Sequence, residues 1–245
     1  MSYLRNGKFS ASQSGATNEL SITNTSNTAS SSSQVLASVA GTSAGDPYFQ
    51  AVVSGTTTWS WGIDNSATIP SVDPYVISAS TALGTTDVMR IATTGEVVKP
   101  LQPAFLANVG TTITNITGDG TNYLVIFETE IFDQNSDYNT TTAKFTAPVT
   151  GRYLFHYNLS MSGLDASMTD WIQEIITSNR NYRSVWLNPA PAITSTRYTV
   201  GATAIADMDA ADTAHCTIKL SGSTLTADVL GATNTISRFS GYLIC

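Results

Sequence analysis

Pro148-Val-Thr-Gly-Arg-Tyr-Leu-Phe-His-Tyr-Asn-Leu-Ser-Met161 decides the fold. Within it Tyr153, Phe155, Tyr157, Leu159 and Met161 fall at every second position, the period at which the side chains of a strand return to one face. Those side chains are large and apolar, so the face they share predicts a strand packed on a core. Leu154, His156, Asn158 and Ser160 point the other way, toward solvent or a neighbouring subunit. Pro148 and Gly151 supply the turn that precedes the strand.

The same texture extends to both sides. Upstream, Tyr123-Leu-Val-Ile-Phe-Glu-Thr-Glu-Ile-Phe132 follows the tight Gly118-Asp-Gly120 turn and predicts a second long strand. Downstream, strand-like runs lie at Trp171–Ile176, Tyr182–Leu187, Tyr198–Ala206, Ala214–Leu220, Thr224–Leu230 and Phe239–Cys245. No segment carries helical periodicity, so the class is all-β, and the spacing over residues 101–245 is that of a jelly-roll sandwich. Residues 34–100 predict a separate small β module. Its strands are read from Val35, Ala37 and Val39 in alternation, Tyr48–Gly55 after the Asp46-Pro47 turn, Trp59-Ser-Trp61-Gly62, Tyr75–Ser78 and Val88–Ile91. Pro100 and Pro103 mark a stiff junction to the head. Residues 1–33 are Ser, Thr, Asn and Gly with few apolar groups, too few to offset the entropy of ordering. They are read as an attachment arm, with a flexible tail as the alternative.

Composition narrows the function classes. Charged residues make up 12% of the chain, against about 25% in average soluble proteins. Hydroxyl and amide groups take their place, and these are not screened by salt as ion pairs are. That suits exposure outside a cell. A net charge of −7 excludes a nucleic-acid binder, which needs clustered Lys and Arg to neutralise phosphates. The polar N-terminus and the absence of any run of about 18 apolar residues give no expectation of a signal peptide or membrane insertion. Of the two cysteines, Cys216 alternates with Ala214, Ile218 and Leu220, as a buried free thiol would; a Cys216–Cys245 bridge stays open.

Lys144-Phe-Thr-Ala-Pro-Val-Thr-Gly-Arg-Tyr-Leu-Phe155 resembles the signature of the complement component 1q globular head, a tumour-necrosis-factor-like jelly roll: Phe145-Thr, a Pro, then Gly151-x-Tyr153-x-Phe155. The ending Phe239-Ser-Gly-Tyr-Leu-Ile244 is similar to that family's last strand, and Asp212-Thr213 to its penultimate region. The resemblance implies a ten-stranded sandwich and a homotrimer. Phe145, Tyr153, Phe155 and Phe239 would fill its core, while Gly151 and Gly241 allow tight turning or close backbone approach. Residues 20–100 look like a module of phage and environmental-virus tail or fibre proteins, carried by Ser21–Ala29, Gly45-Asp-Pro47, Trp59–Ser66 and Leu83–Val97. This second resemblance implies a virion structural protein, a trimeric fibre or tail-tip subunit binding a host surface glycan or protein. Residues 1–33 would then bind another virion protein. A capsid-decorating knob that stabilises the shell and a bacterial surface adhesin are the alternatives.

Catalytic chemistry finds little support. His156 and His215, the two histidines, both sit on the more polar side of strands, so no nucleophile and base are brought together by sequence. Glu128 and Glu130 are expected side by side on one strand instead of flanking a substrate as glycosidase carboxylates do. Asp207, Asp209 and Asp212 are read as a solvated acidic turn, with a calcium site as the alternative. No cofactor, catalytic residue or metal ligand is therefore assigned. Arg180, Tyr182, Arg183 and Trp186, beside a proline-rich loop, are the candidate receptor-contact residues, because Arg, Tyr and Trp dominate binding hot spots. The alternative leaves Val185 and Leu187 on the core and Trp186 in a subunit interface.

Overall fold

A computed structural model describes residues 20–29, 31–41, 44–65, 73–189, 197–232 and 236–245. Residues 1–19 of the expected arm lie outside the described residues. Residues 20–29 and 31–33 form no strand and are tied down locally, with Asn24 Nδ2 donating to Ser32 O at 2.9 Å.

The first five strands, β1 (Tyr48–Val53), β2 (Thr57–Ile63), β3 (Tyr75–Ser78), β4 (Asp87–Ile91) and β5 (Val97–Val98), form an antiparallel meander in chain order. The strand expected over Val35–Val39 is absent. Val35 is 59% and Leu36 76% exposed, and no neighbouring strand satisfies their backbone groups.

The remainder is a two-sheet sandwich. Its strands are β6 (Ala104–Asn108), β7 (Ile113–Thr117), β8 (Asn122–Leu124), β9 (Thr129–Asp133), β10 (Tyr138–Asn139), β11 (Lys144–Thr146), β12 (Gly151–Ser162), β13 (Asp170–Thr177), β14 (Asn181–Leu187), β15 (Arg197–Met208), β16 (Thr213–Ser221), β17 (Thr226–Val229) and β18 (Arg238–Leu243). One sheet runs β10-β11-β16-β13-β14 with β8 also on β16; the other runs β7-β17-β12-β18-β6-β9 with β15 along the free edge of β12. Among the described residues thirteen strands stand where ten were expected, because short pieces pair separately and the Tyr123–Phe132 run divides. β8 pairs with β16 in one sheet and β9 with β6 in the other. The residues between them cross the core edge: Val125 is 1% and Phe127 0% exposed. The run therefore stays apolar through a change of sheet, which hides the break from periodicity.

β12 behaves as read. Tyr153, Phe155, Tyr157, Leu159 and Met161 are all fully buried. Beside them in the same sheet, Phe105 stacks on Tyr138 and Phe145 of the facing sheet at 4.7 and 5.2 Å between ring centroids, and meets Phe239 edge-on at 5.1 Å. Pairs of this kind contribute about 0.5–1.5 kcal/mol each beyond area burial. Gly241 sits in register between Phe155 and Phe105 on the flanking strands. A Cβ there would lie 2.5 Å from Phe155 Cδ1 and 2.9 Å from Phe105 Cε1, so the ring cluster closes only over a glycine. Both cysteines are free, Cys216 buried and Cys245 exposed, which removes the bridge from the alternatives.

Candidate functional site

Two outward sheet faces carry the side chains of interest. On the six-stranded sheet, β13 and β14 pair in regular register until Glu174↔Arg183 is followed by Gln173↔Val185, leaving Ser184 as an extra residue. This bulge turns Arg183 and Trp186 onto the same outer face, although three positions apart on a regular strand would put them on opposite sides. The Arg183 guanidinium carbon lies 5.2 Å from the Trp186 ring centroid, and its Nε donates to Glu174 Oε1 at 2.8 Å. Trp186 Nε1 donates to Asp170 Oδ1 at 2.9 Å. That bond, with a second from Thr169, holds the Asp170 carboxyl below its usual range. The indole is thus fixed at its edge and covered in part by a cation, yet it stays 67% exposed. A pinned, solvent-facing ring of this kind can stack on a sugar or a flat peptide group.

The four candidate residues do not form one cluster. Tyr182 packs against the core from its half-buried position. Arg180, in the turn before β14, reaches Asp207 at 3.5 Å with both side chains largely in solvent, an ion pair of about 0–1 kcal/mol. Arg183 and Trp186 remain together and recruit Asp170 and Glu174. The cross-strand partners are set by a bulge that no sequence period announces.

The acidic turn is held by its own chain. Asp212 accepts from Asn179 Nδ2 at 2.6 Å and from the Asp209 N–H at 2.8 Å. Among the described residues, no three His, Cys, Asp or Glu side chains are grouped to hold a metal. Glu128 precedes β9 and accepts from the Thr111 N–H at 2.7 Å, while Glu130 lies within β9, so the expected same-strand carboxylate pair is replaced by two acids in different settings. His156 Nδ1 lies 3.0 Å from Thr203 Oγ1. Burial, then the Arg238 charge, pushes its pKa down. His215 is pushed down by burial and then by Lys144. Its chain neighbour Cys216 is buried in the core, where burial drives the thiol pKa up and keeps it protonated.

The outer face of the seven-stranded sheet is graded along its strands. One cross-strand row is Ala104, Tyr242, Leu154 and Ile205. The next is Phe132, Leu106, Ser240, His156 and Thr203, and the third is Asn108, Arg238, Asn158 and Gly201. Ile205 is 58%, Tyr242 48% and Phe132 47% exposed. The face is apolar at the end near the proline junction and polar at the other, which explains why Leu154 with His156 looked neither apolar nor polar in sequence.

Fold and faces define a jelly-roll module with outward surfaces suited to contact. Residues 104–244 match the family model described as the C1q domain. The match spans more than half of the chain, and the protein belongs to the C1q domain family. Solved structures similar to it include the globular domain of zebrafish complement 1qA, 19% identical, with 59% of this chain and 98% of that chain covered and a TM-score of 0.41. Murine APRIL at pH 8.0 is 10% identical, with 58% and 99% covered and a TM-score of 0.38. Among curated protein sequences none matches. The family match starts at Ala104 and does not reach residues 20–100.

Proposed function

We propose that the chain is a non-enzymatic, homotrimeric structural protein of a bacteriophage-like virion, a fibre or tail-tip subunit whose C1q-type head contacts a host surface glycan or protein. The observation that carries the trimer is the apolar row Ala104, Tyr242, Leu154 and Ile205, of which Tyr242 and Ile205 are exposed and Ala104 and Leu154 half-buried, on a sheet whose other face is already buried. A monomer gains nothing from such a row; a second copy covering Ile205 or Tyr242 gains about 1–2 kcal/mol at each. The virion setting is supported by the likeness of residues 20–100 to viral fibre modules and by a surface poor in charge. Residues 1–33 are the attachment arm to another virion protein. Arg183 and Trp186 are the receptor contacts. Three weak copies of such a site act together through effective concentration.

Light scattering on the full chain tests the assembly. Wild type is expected as a trimer at micromolar concentration, and Leu154→Asp with Ile205→Asp is expected to dissociate it; a wild-type monomer overturns the proposal. Deleting residues 1–33 is expected to leave a folded trimer that is missing from particles. Antibodies against the chain are expected at the tail. Decoration of the shell, with weakened capsids in its absence, replaces the receptor function with capsid decoration.

A further inference from the structure

The meander β1–β5 is inside-out for a sheet on its own. Its register places Tyr48, Gln50, Val52, Thr58, Ser60, Gly62, Val76, Ser78, Asp87, Arg90 and Val98 on one face and Phe49, Ala51, Val53, Thr57, Trp59, Trp61, Ile63, Tyr75, Ile77, Met89, Ile91 and Val97 on the other. The first face is covered only at its centre, and at its margins Tyr48 stays 39%, Val52 60% and Val98 54% exposed. The segment 79–86 folds across it: Gln50 Nε2 donates to Thr81 O at 2.7 Å, Ser60 Oγ to Ser80 O at 2.7 Å, and the Gly84 N–H to Asp87 Oδ1 at 3.0 Å. Ser60 and Ser78 are fully buried beneath it. The second face is uncharged and, apart from Thr57 at one corner, apolar or aromatic, and among the described residues no segment is bonded across it. Phe49 and Trp61 stack at 6.4 Å, while Phe49 and Trp59 are 41%, Val53 60% and Val97 55% exposed.

We infer that this face is a second homotrimer interface, in which three copies of the meander pack their aromatic faces together. The area fits. Residues at these exposures leave on the order of 600 Å² of apolar surface per chain, at the limit of what monomers tolerate and near the ~800 Å² per partner of a stable interface. The charge pattern fits as well: identical faces that meet around an axis oppose like with like, and this face has no charge to repel. Continuity supplies the third reason. Val97, at the edge of the face, lines one groove with Ala104 and Tyr242, the start of the apolar row on the head. Gln134 Nε2 fixes that junction by donating to Lys99 O at 2.6 Å and Gln102 O at 2.8 Å. The edge of the meander and the apolar row of the head therefore share one groove, and a trimerised head holds three meanders at high effective concentration. The inference rests on the proposed head trimer for its stoichiometry.

Cross-linking in the full chain tests it. In a Cys245→Ser background, Ile77→Cys reports on the meander and Ile205→Cys on the head. A short bismaleimide is expected to give covalent dimers from both, the limit for one reactive thiol per chain, and a three-armed maleimide covalent trimers. Labelling of Ile77→Cys by a monofunctional maleimide is expected to be at least about tenfold slower than in urea, the protection given by an interface that costs only ~1.4 kcal/mol to open. Cross-links at the head with free labelling at Ile77→Cys overturn the inference and leave the head trimer standing. Protection at Ile77→Cys without cross-links overturns it too, because another segment or protein then covers the face. Absence of cross-links at both sites removes the head trimer as well, and cross-links at the meander alone uphold the second interface against the first.

Discussion

Replacing Gly241 by Ala adds a single methyl group where the head core has no space. On an open strand the change would stabilise by about 0.5–1 kcal/mol, because glycine loses the most conformational freedom on folding. Here the new carbon meets Phe155 Cδ1 at 2.5 Å, Phe155 Cε1 at 2.7 Å and Phe105 Cε1 at 2.9 Å. Both rings are fully buried and held by further rings, so neither can move away cheaply. Overpacking of this kind costs about 1–3 kcal/mol, and with two rings displaced the upper half of that range leaves a net loss of roughly 1–2.5 kcal/mol. Cys216 supplies the assay. It is 1% exposed in the same core, and with Cys245→Ser it is the sole thiol, so its reaction with a thiol reagent in dilute urea reports opening of the head. Gly241→Ala is expected to speed that labelling roughly 5- to 60-fold, at one decade per 1.4 kcal/mol. Adding Phe155→Leu makes room for the methyl and is expected to cost less than the two changes summed, with a coupling above about 0.5 kcal/mol. Labelling as slow as in the parent, or slower, would refute the account of why a glycine stands between two phenylalanines.

Trp186→Ala, which leaves the Arg183 pair with buried Glu174 in place, is expected to weaken adsorption to host cells about tenfold while thermal stability changes little, since Trp186 is 67% exposed; equal adsorption moves the contact elsewhere. Tyr182→Ala is expected to destabilise the head instead, as a half-buried ring on the core edge, and a thermal melt distinguishes the two effects. The depressed pKa values of His156 and His215 mean that the unfolded chain binds protons first, so stability present above about pH 6.5 is lost as pH falls toward the lower folded values. His156→Asn with His215→Asn is expected to flatten that loss in denaturant titrations between pH 7 and 5, and an unchanged slope assigns it to carboxylates. Native protein is expected to label at Cys245 alone and at Cys216 only after denaturation, as counted by mass spectrometry.

Much of the head was legible because β12, one of its two longest strands, is regular. The alternation of Tyr153 to Met161 survives intact as a buried face, and Phe145, Phe155 and Phe239 meet as their aromatic bulk suggested. Where the backbone changes partner without changing polarity, sequence is silent. Val125 and Phe127 stay buried through the switch between sheets, so ten apolar-rich residues read as one strand. The bulge at Ser184 is similarly invisible, and with it the pairing of Arg183 with Trp186. Val35 to Val39 show the opposite failure: alternation was present, but a strand needs a neighbour, and local pattern carries no information about one. The apolar face of the meander was visible in Trp59, Trp61 and Ile63 as a strand signal, yet which side the 79–86 segment would cover was not.

The position of β18 sets an order of events during synthesis. β1 to β5 pair only with chain neighbours, so the meander can form as soon as it leaves the ribosome. The head has no such freedom. β18 lies between β12 and β6, it carries Phe239 into the ring cluster, and Gln102 bonds to Leu243 across 141 residues of chain. Until β18 is made, Phe105 and Phe155 lack the strand that joins them, and a nascent chain carries a finished meander ahead of an open head. Meanders on neighbouring ribosomes of one message are then the first parts able to meet, so in the proposed trimer the subunits would come from one polysome and begin their association at the N-terminal sheet.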